Sequence, residues 1–314
     1  MKCLNCGKTL NANNSSGWHK SCIKSFFNTN QLPVIDINEK TLELIVNDNI
    51  NKGYTIPGVQ KKLSLNLKQE EGKHRLTLVN YPTGYILKPQ VEEYEALPEA
   101  EHLVMKMAST IGISTVPNAL IKDGEKLAYI TKRIDRIFTK DNIQMLAMED
   151  FCQLDNRLTQ DKYKGSYERC AKIVDRYSSR KGLDLTELFM RLVFSFVIGN
   201  SDMHLKNFSL IETSPGSEEY ILSPAYDLLP VNVIMPEDKE QFALSINNKK
   251  TDISGKDFYV FANTCGISEK AAENMINKVL SKKKSFISMC NDSFLPKSMK
   301  ESLIELINTR IACF

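Results

Sequence analysis

Long apolar runs are missing from this 314-residue sequence. None reaches the roughly 18 to 20 residues that cross a bilayer, and the longest candidate, 185–198, carries Glu187, Arg191 and Ser195 and reads as a core helix. The amino terminus lacks the apolar core of a signal segment, so a cytoplasmic chain is expected. A basic amphipathic or lipid-anchoring stretch is also missing, which argues against a membrane partner. Charge of one sign is scarce. The net value is +3, from 41 Lys and Arg against 38 Asp and Glu, too small for direct nucleic-acid binding to be expected from electrostatics. Internal repeats and low-complexity tracts are absent.

What remains is an ordinary globular composition, 42% hydrophobic and 25% charged, which excludes a fully disordered or fibrous chain. Against about 150 residues per domain, the length suggests two lobes and a small appendage. The pattern places an amino-terminal knuckle at 1–30, a sheet-rich lobe at 31–135 and a helical lobe at 136–314, an α+β fold.

Eight cysteines are present. Cys152, Cys170, Cys265, Cys290 and Cys313 are scattered and read as buried thiols in a reducing compartment. The other three crowd around a histidine: Cys3-x-x-Cys6, twelve residues, then His19-x-x-Cys22. Two close pairs across a short loop suit tetrahedral Zn2+, whereas a redox Cys-x-x-Cys explains neither His19 nor Cys22. Four protein ligands leave no open position, so the expected role is structural. A segment this short builds no core alone, so metal is expected to supply its folding energy.

After a linker at Gln31-Leu32-Pro33, alternation at Leu63, Leu65 and Leu67, then Leu76-Thr77-Leu78-Val79 and Tyr85-Ile86-Leu87-Lys88, predicts an antiparallel sheet. Pro98 is expected to open a helix with Ala100, Leu103, Val104, Met107 and Ile111 on one face and Gly112 as its stop. Ala119-Leu120-Ile121 and Leu127-Ala128-Tyr129-Ile130 form two more strands around Asp123-Gly124. From about 150 the period becomes helical, with later helices at 269–280 and 300–311 and the Lys282-Lys283-Lys284 run as a solvated helix end.

Chemistry concentrates in Gly199-Asn200-Ser201-Asp202-Met203-His204-Leu205-Lys206-Asn207, between the apolar helix and a strand at 208–211, and in Pro224-Ala225-Tyr226-Asp227. An acid, an amide five positions later and a second acid at a strand end suit phosphoryl transfer from a nucleotide. Asp202 orients the acceptor hydroxyl, and Asn207 and Asp227 offer oxygen ligands to Mg2+. Upstream, Lys88 ends an apolar strand and Glu101 lies in the first turn of the next helix, a pair that can fix a cation beside phosphates. Each has a plainer reading: Lys88 as a solvated strand residue, Glu101 as a helix-dipole charge, Asp227 as a cap, His204 as a satisfied hydrogen-bonding group. Their order along the chain favours the joint one. The tract 54–62, with Gly53 and Gly58, is no G-x-G-x-x-G loop.

Thr55-Ile56-Pro57-Gly58-Val59-Gln60-Lys61-Lys62, Ile86-Leu87-Lys88-Pro89, Lys132-Arg133-Ile134-Asp135-Arg136, Glu149-Asp150-Phe151-Cys152-Gln153, the D-x-H-x-K-N-F core from Asp202 to Phe208, and Pro224 to Asp227 together resemble the successive motifs of the HipA-type toxin kinases. The resemblance runs over residues 50–230. It implies a two-lobed, protein-kinase-like fold that phosphorylates serine or threonine in proteins with ATP and Mg2+. It further implies Asp202 as catalytic base, Asn207 and Asp227 on metal, Lys88 on phosphate and His204 beside it. Thr55, Gly58 and Gln60 fall in the phosphate loop, Lys132 to Ile134 at the adenine hinge, and Tyr226 among the cofactor-binding residues. Thr55 corresponds to the family's autophosphorylated serine, where a dianion competes with the nucleotide's charge. The short HipT-like branch is the nearer in size, and Pro57 stands where that branch can carry a second serine. The implied partners are an aminoacyl-tRNA synthetase as target, a DNA-binding antitoxin and a small accessory protein. The alternatives are a phosphoinositide-type lipid kinase, which shares D-x-H-x-x-N, and a non-catalytic zinc-containing regulator.

Overall fold

The computed structural model describes residues 1–36, 62–70, 73–77, 84–139 and 143–314. The backbone forms two compact units, Met1–Glu99 with Pro117–Arg133, and Ala100–Val116 with Ile134–Phe314. Thr55, Gly58, Gln60, Leu78 and Val79 lie outside the described residues.

The first unit is built on a six-stranded sheet of β1 (Val34–Asp36), β2 (Leu63–Glu70), β3 (Lys73–Thr77), β4 (Tyr85–Lys88), β5 (Asn118–Asp123) and β6 (Lys126–Lys132), in the order β1-β3-β2-β4-β6-β5. Alternation puts Leu63, Leu65, Leu76, Tyr85 and Leu87 inside. Four of the five pairings are antiparallel, as expected. The fifth corrects the expectation. The chain leaving Gln31-Leu32-Pro33 enters β1, which pairs parallel with β3, Ile35 opposite Leu76. Three residues are too few to show a period of two, so this edge was unreadable.

The helix α2 (Leu97–Thr110), following α1 (Lys20–Phe27) in the amino-terminal segment, buries Ala100, Leu103, Val104 and Met107. It begins at Leu97, so Glu101 stands just past the first turn rather than within it. Gly112, at φ 83°, stops the chain in a conformation costly for other residues.

The second unit is mainly helical: α3 (Phe151–Leu154), α4 (Tyr167–Tyr177), α5 (Lys181–Ile198), α6 (Val231–Ile234), α7 (Gly255–Thr264), α8 (Glu269–Leu280), α9 (Lys283–Asp292) and α10 (Lys297–Ile311). From Leu188 to Ile198 every residue of α5 is buried, as befits a helix packed on several sides by α4, α8 and α10. Phe196 meets Phe242, Phe258 and Phe314, and Phe194 meets Phe286. A three-stranded sheet of β9 (Met148–Asp150), β10 (Ser209–Glu212) and β11 (Tyr220–Leu222) and a hairpin of β7 (Arg136–Phe138) and β8 (Ile143–Met145) complete it. The lysine run is a solvated helix end, as expected, with Lys282 capping α9 and Lys283 opening it. Cys152, Cys170 and Cys290 are buried, but Cys265 and Cys313 are only half-buried. Among the described residues no helix is long and apolar enough to cross a membrane.

Candidate functional site

The apolar helix α5 ends where Gly199 turns left-handed, φ 69°. A methyl group there would overlap the Leu306 side chain and press on Asn232 Cβ at 3.3 Å, so only glycine fits. The chain then makes the tight loop Asn200 to His204 and a 3-10 turn at Leu205–Asn207 before β10. The loop closes on itself. The Asp202 carbonyl accepts from the His204 N–H and from Asn207 Nδ2, both at 2.8 Å, while the Asp202 N–H reaches Asn200 Oδ1 at 3.4 Å. Because Nδ2 is used within the loop, the acceptor oxygen Oδ1 is what the Asn207 amide has left to offer.

Residues outside the motif frame this loop. Tyr163 donates its hydroxyl to Asp202 Oδ1 at 2.8 Å, and its ring stands edge-on to His204, centroids 5.1 Å apart. Burial and the Asp202 charge push the Tyr163 phenol up. Lys206 pairs with Asp150 at 2.6 Å, and Asp150 also caps α3 in a reciprocal box with Gln153. Asn232 donates to the Asp238 and Glu240 carbonyls and accepts from Arg310, and its N–H meets the Gly199 carbonyl. Ser201 donates to Asp238.

The second acid is held separately. Ala225 exchanges backbone hydrogen bonds with Ser114 and Val116, at 2.7 and 3.0 Å. Buried Arg191 donates to the Ser223 carbonyl at 2.7 Å, and buried Asp184 accepts the Leu222 N–H at 2.7 Å. The Tyr226 hydroxyl donates to the Lys206 carbonyl at 3.1 Å and shares a hydrogen bond with Ser209. Asp227 follows at φ 55°. It therefore stands in a left-handed bend after an isolated bridge, not at a strand end as the sequence suggested.

In the first unit, Lys88 is buried in a central strand with its ammonium 5.2 Å above the Tyr129 ring, the residue opposite it on β6. This is no solvated strand lysine. Lys132 turns its ammonium to the Ser25 carbonyl at 3.4 Å and the Phe26 ring, and burial lowers its pKa. The Lys132 and Arg133 N–H groups bond the Pro117 and Gly84 carbonyls. Ile134 opens the second stretch of the other unit, and Glu101, fully buried, also belongs to that unit.

The ligand atoms of Cys3, Cys6, His19 and Cys22 all lie within 4.8 Å of one another. His19 Nδ1 is 3.4 Å from Cys6 Sγ and 3.9 Å from Cys22 Sγ. A tetrahedral Zn2+ with bonds of about 2.0 to 2.3 Å needs ligand edges of about 3.5 to 3.8 Å, so the set fits. His19 Nε2 faces the Thr9 carbonyl at 3.1 Å, which fixes the proton there and turns the lone pair of Nδ1 to the thiols. Burial raises the Cys3 thiol, but hydrogen bonds from the Cys6, His19 and Asn5 backbone outweigh it and bring it to about 7. Burial and the neighbouring thiols push Cys22 up to about 12. The knuckle is not a core-less segment, however. Trp18, Phe26 and Phe27 cluster, both phenylalanines reach Tyr85 of the sheet, and Leu120 bonds the Leu4 carbonyl.

Residues 54–286 match the family described as HipA-like C-terminal domain. The chain belongs to that family. A Haemophilus influenzae protein named "Putative kinase" is 25% identical over 343 residues, covering 99% of this HipA-like chain and 95% of the relative. The Shewanella oneidensis serine/threonine-protein kinase toxin HipA is 26% identical over 215 residues, 62% of this chain, and the match spans about half of that toxin, 47%. Among solved structures, HipA of S. oneidensis, in a complex with HipB and operator DNA, superposes with a TM-score of 0.68 at 18% identity, covering 82% of this chain and 63% of that one. The Helicobacter pylori proinflammatory kinase CtkA gives 0.52 at 17% identity, over 74% and 89%. The fold is thus that of a HipA-like kinase, α+β, with a sheet-rich first unit and a helix-rich second. Tyr163, Asp184, Arg191 and Asn232 were not legible as site residues. Tyr163 sits in a polar stretch without period, and the other three act through contacts 30 or more positions away in sequence.

Proposed function

We propose that this HipA-family chain is an ATP- and Mg2+-dependent serine/threonine protein kinase acting as the toxin of a toxin-antitoxin pair. The observation that carries the reading is the closed loop in which Asn207 ties itself to the Asp202 carbonyl, so that acid and amide are held in one rigid turn. Phosphoryl transfer asks the protein mainly for positioning and charge. Asp202 orients the acceptor hydroxyl and takes its proton. Asn207 and Asp227 hold Mg2+, which when bound offsets phosphate charge. Lys88 and His204 are each proposed as phosphate contacts, and Glu101 as an acid of the same nucleotide chemistry. The backbone at Lys132 to Ile134 meets adenine, Tyr226 is a cofactor-binding residue, and the resemblance makes Thr55, Gly58 and Gln60 nucleotide-binding residues as well. Four knuckle ligands hold a structural Zn2+.

Thr55 is the proposed autophosphorylation acceptor, and a translation protein such as an aminoacyl-tRNA synthetase the proposed target. The S. oneidensis complex supports a DNA-binding antitoxin as partner. The test is incubation of the purified chain with ATP and Mg2+. Phosphate should appear on Thr55, and Asp202→Ala should reduce transfer by about a hundredfold or more, the contribution of a positioned base. Equal transfer by the variant, or labelling of phosphoinositide vesicles in place of protein, overturns the reading.

A further inference from the structure

The loop before α4 carries a residue that touches the candidate base and that no family motif quoted above contains. We infer that Tyr163 is a positioning residue for phosphoryl transfer, its hydroxyl holding the Asp202 carboxylate in the orientation that receives the acceptor proton. The inference rests on the kinase reading above and deepens it.

Three attachments join Tyr163 to the catalytic loop. Its hydroxyl donates to Asp202 Oδ1 at 2.8 Å. Its ring stands edge-on to His204, interplanar angle 76°. One residue earlier, the Lys162 carbonyl accepts the Leu205 N–H at 3.1 Å, so the two loops are bound through their backbones. The Lys162 ammonium lies 4.9 Å above the Tyr163 ring, and Tyr167, four positions on, donates to the Met203 carbonyl at 3.0 Å. The four successive residues from Asp202 to Leu205 are thereby tied to the 162–167 segment.

A carboxylate on a single χ2 bond rotates broadly, and a donor on one oxygen narrows that rotation. The residue is 46% exposed, yet partial desolvation of its hydroxyl and the adjacent negative charge favour the neutral form and leave it a donor. A tyrosine that merely blocked the base would need to leave for catalysis. The backbone bond between Lys162 and Leu205 and the packing on His204 argue for a fixed strut instead.

The experiment measures phosphate release from ATP with Mg2+ for the full chain, its Tyr163→Phe and Asp202→Asn variants and the double variant. Tyr163→Phe keeps the ring contacts and removes only the donor. Its kcat should fall about tenfold, the worth of a hydrogen bond to a charged group, with KM for ATP and the thermal midpoint unchanged. In the Asp202→Asn background the second substitution should add little, because it acts through the same carboxylate. Wild-type kcat in Tyr163→Phe overturns the inference while leaving the kinase reading intact. A raised kcat also overturns it, since the hydroxyl would then be a block. A fall that adds fully to Asp202→Asn does so as well. If the wild type and Asp202→Asn release phosphate equally, the kinase reading fails and the inference falls with it.

Discussion

Gly199 and Asp227 both adopt left-handed backbone conformations, at φ 69° and 55°, but only the aspartate incurs a Cβ penalty, of about 1 kcal/mol. Aspartate and asparagine tolerate that region better than most residues, as Asn247 and Asp252 also show, so the bend suits Asp227 without marking it. Asp257 is a contrasting case, a buried acid whose role is structural. Burial alone would raise its pKa, but hydrogen bonds from Lys249, Asn247 and Ser254 outweigh that and hold it down to about 2. A carboxyl whose pKa is lower folded than unfolded adds stability above its ordinary value of 3.8 and loses it as pH falls toward 2. Asp257→Asn should therefore lower unfolding free energy by about 2 kcal/mol at pH 7. Urea unfolding of both proteins should show that gap closing between pH 4 and 2; a gap of constant size would mean that the charge is not what matters.

At the scale of elements, α1 shows two kinds of fixing at once. Its amino-terminal side carries His19 and Cys22 into the thiol cluster, while Phe26 and Phe27 pack against Trp18 and Tyr85. The expectation that metal alone folds the knuckle overlooked these aromatics, because a period of three to four in an eight-residue helix is hard to tell from chance. Part of the knuckle's stability is therefore hydrophobic. Denaturation should release about one Zn2+ per chain, detectable with a chromogenic chelator. Cys22→Ser should abolish that release and lower the midpoint of thermal unfolding by several degrees, while Asp202-dependent phosphate transfer at low temperature persists, because none of the four ligands is a candidate catalytic or nucleotide-binding residue. A metal-free wild type with an unchanged midpoint would remove the site.

For the whole molecule, the legible parts were those with period or local spacing. The β5–β6 hairpin around Gly124, the apolar α5 closed by Gly199, and the D-x(4)-N loop all carry their reason within a few residues. The parallel β1 edge and the Tyr163 strut depend on partners distant in sequence, which no window reveals. The kinase reading likewise asks Asn207 and Asp227, twenty positions apart within the second unit, to act on one nucleotide. Binding of that kind has a thermodynamic signature. With ATP about a hundredfold above its dissociation constant, a ligand that binds only the folded chain adds about 2.7 kcal/mol. That rise should require Mg2+, because Asn207 and Asp227 offer oxygens to a cation and not to phosphate directly. Asn207→Ala and Asp227→Asn should each erase most of the shift, and the double variant should lose no more than either alone, since both act on the same ligand. Calorimetric unfolding scans with and without Mg2+ measure all of this; a shift that survives both substitutions would place the nucleotide elsewhere in the chain.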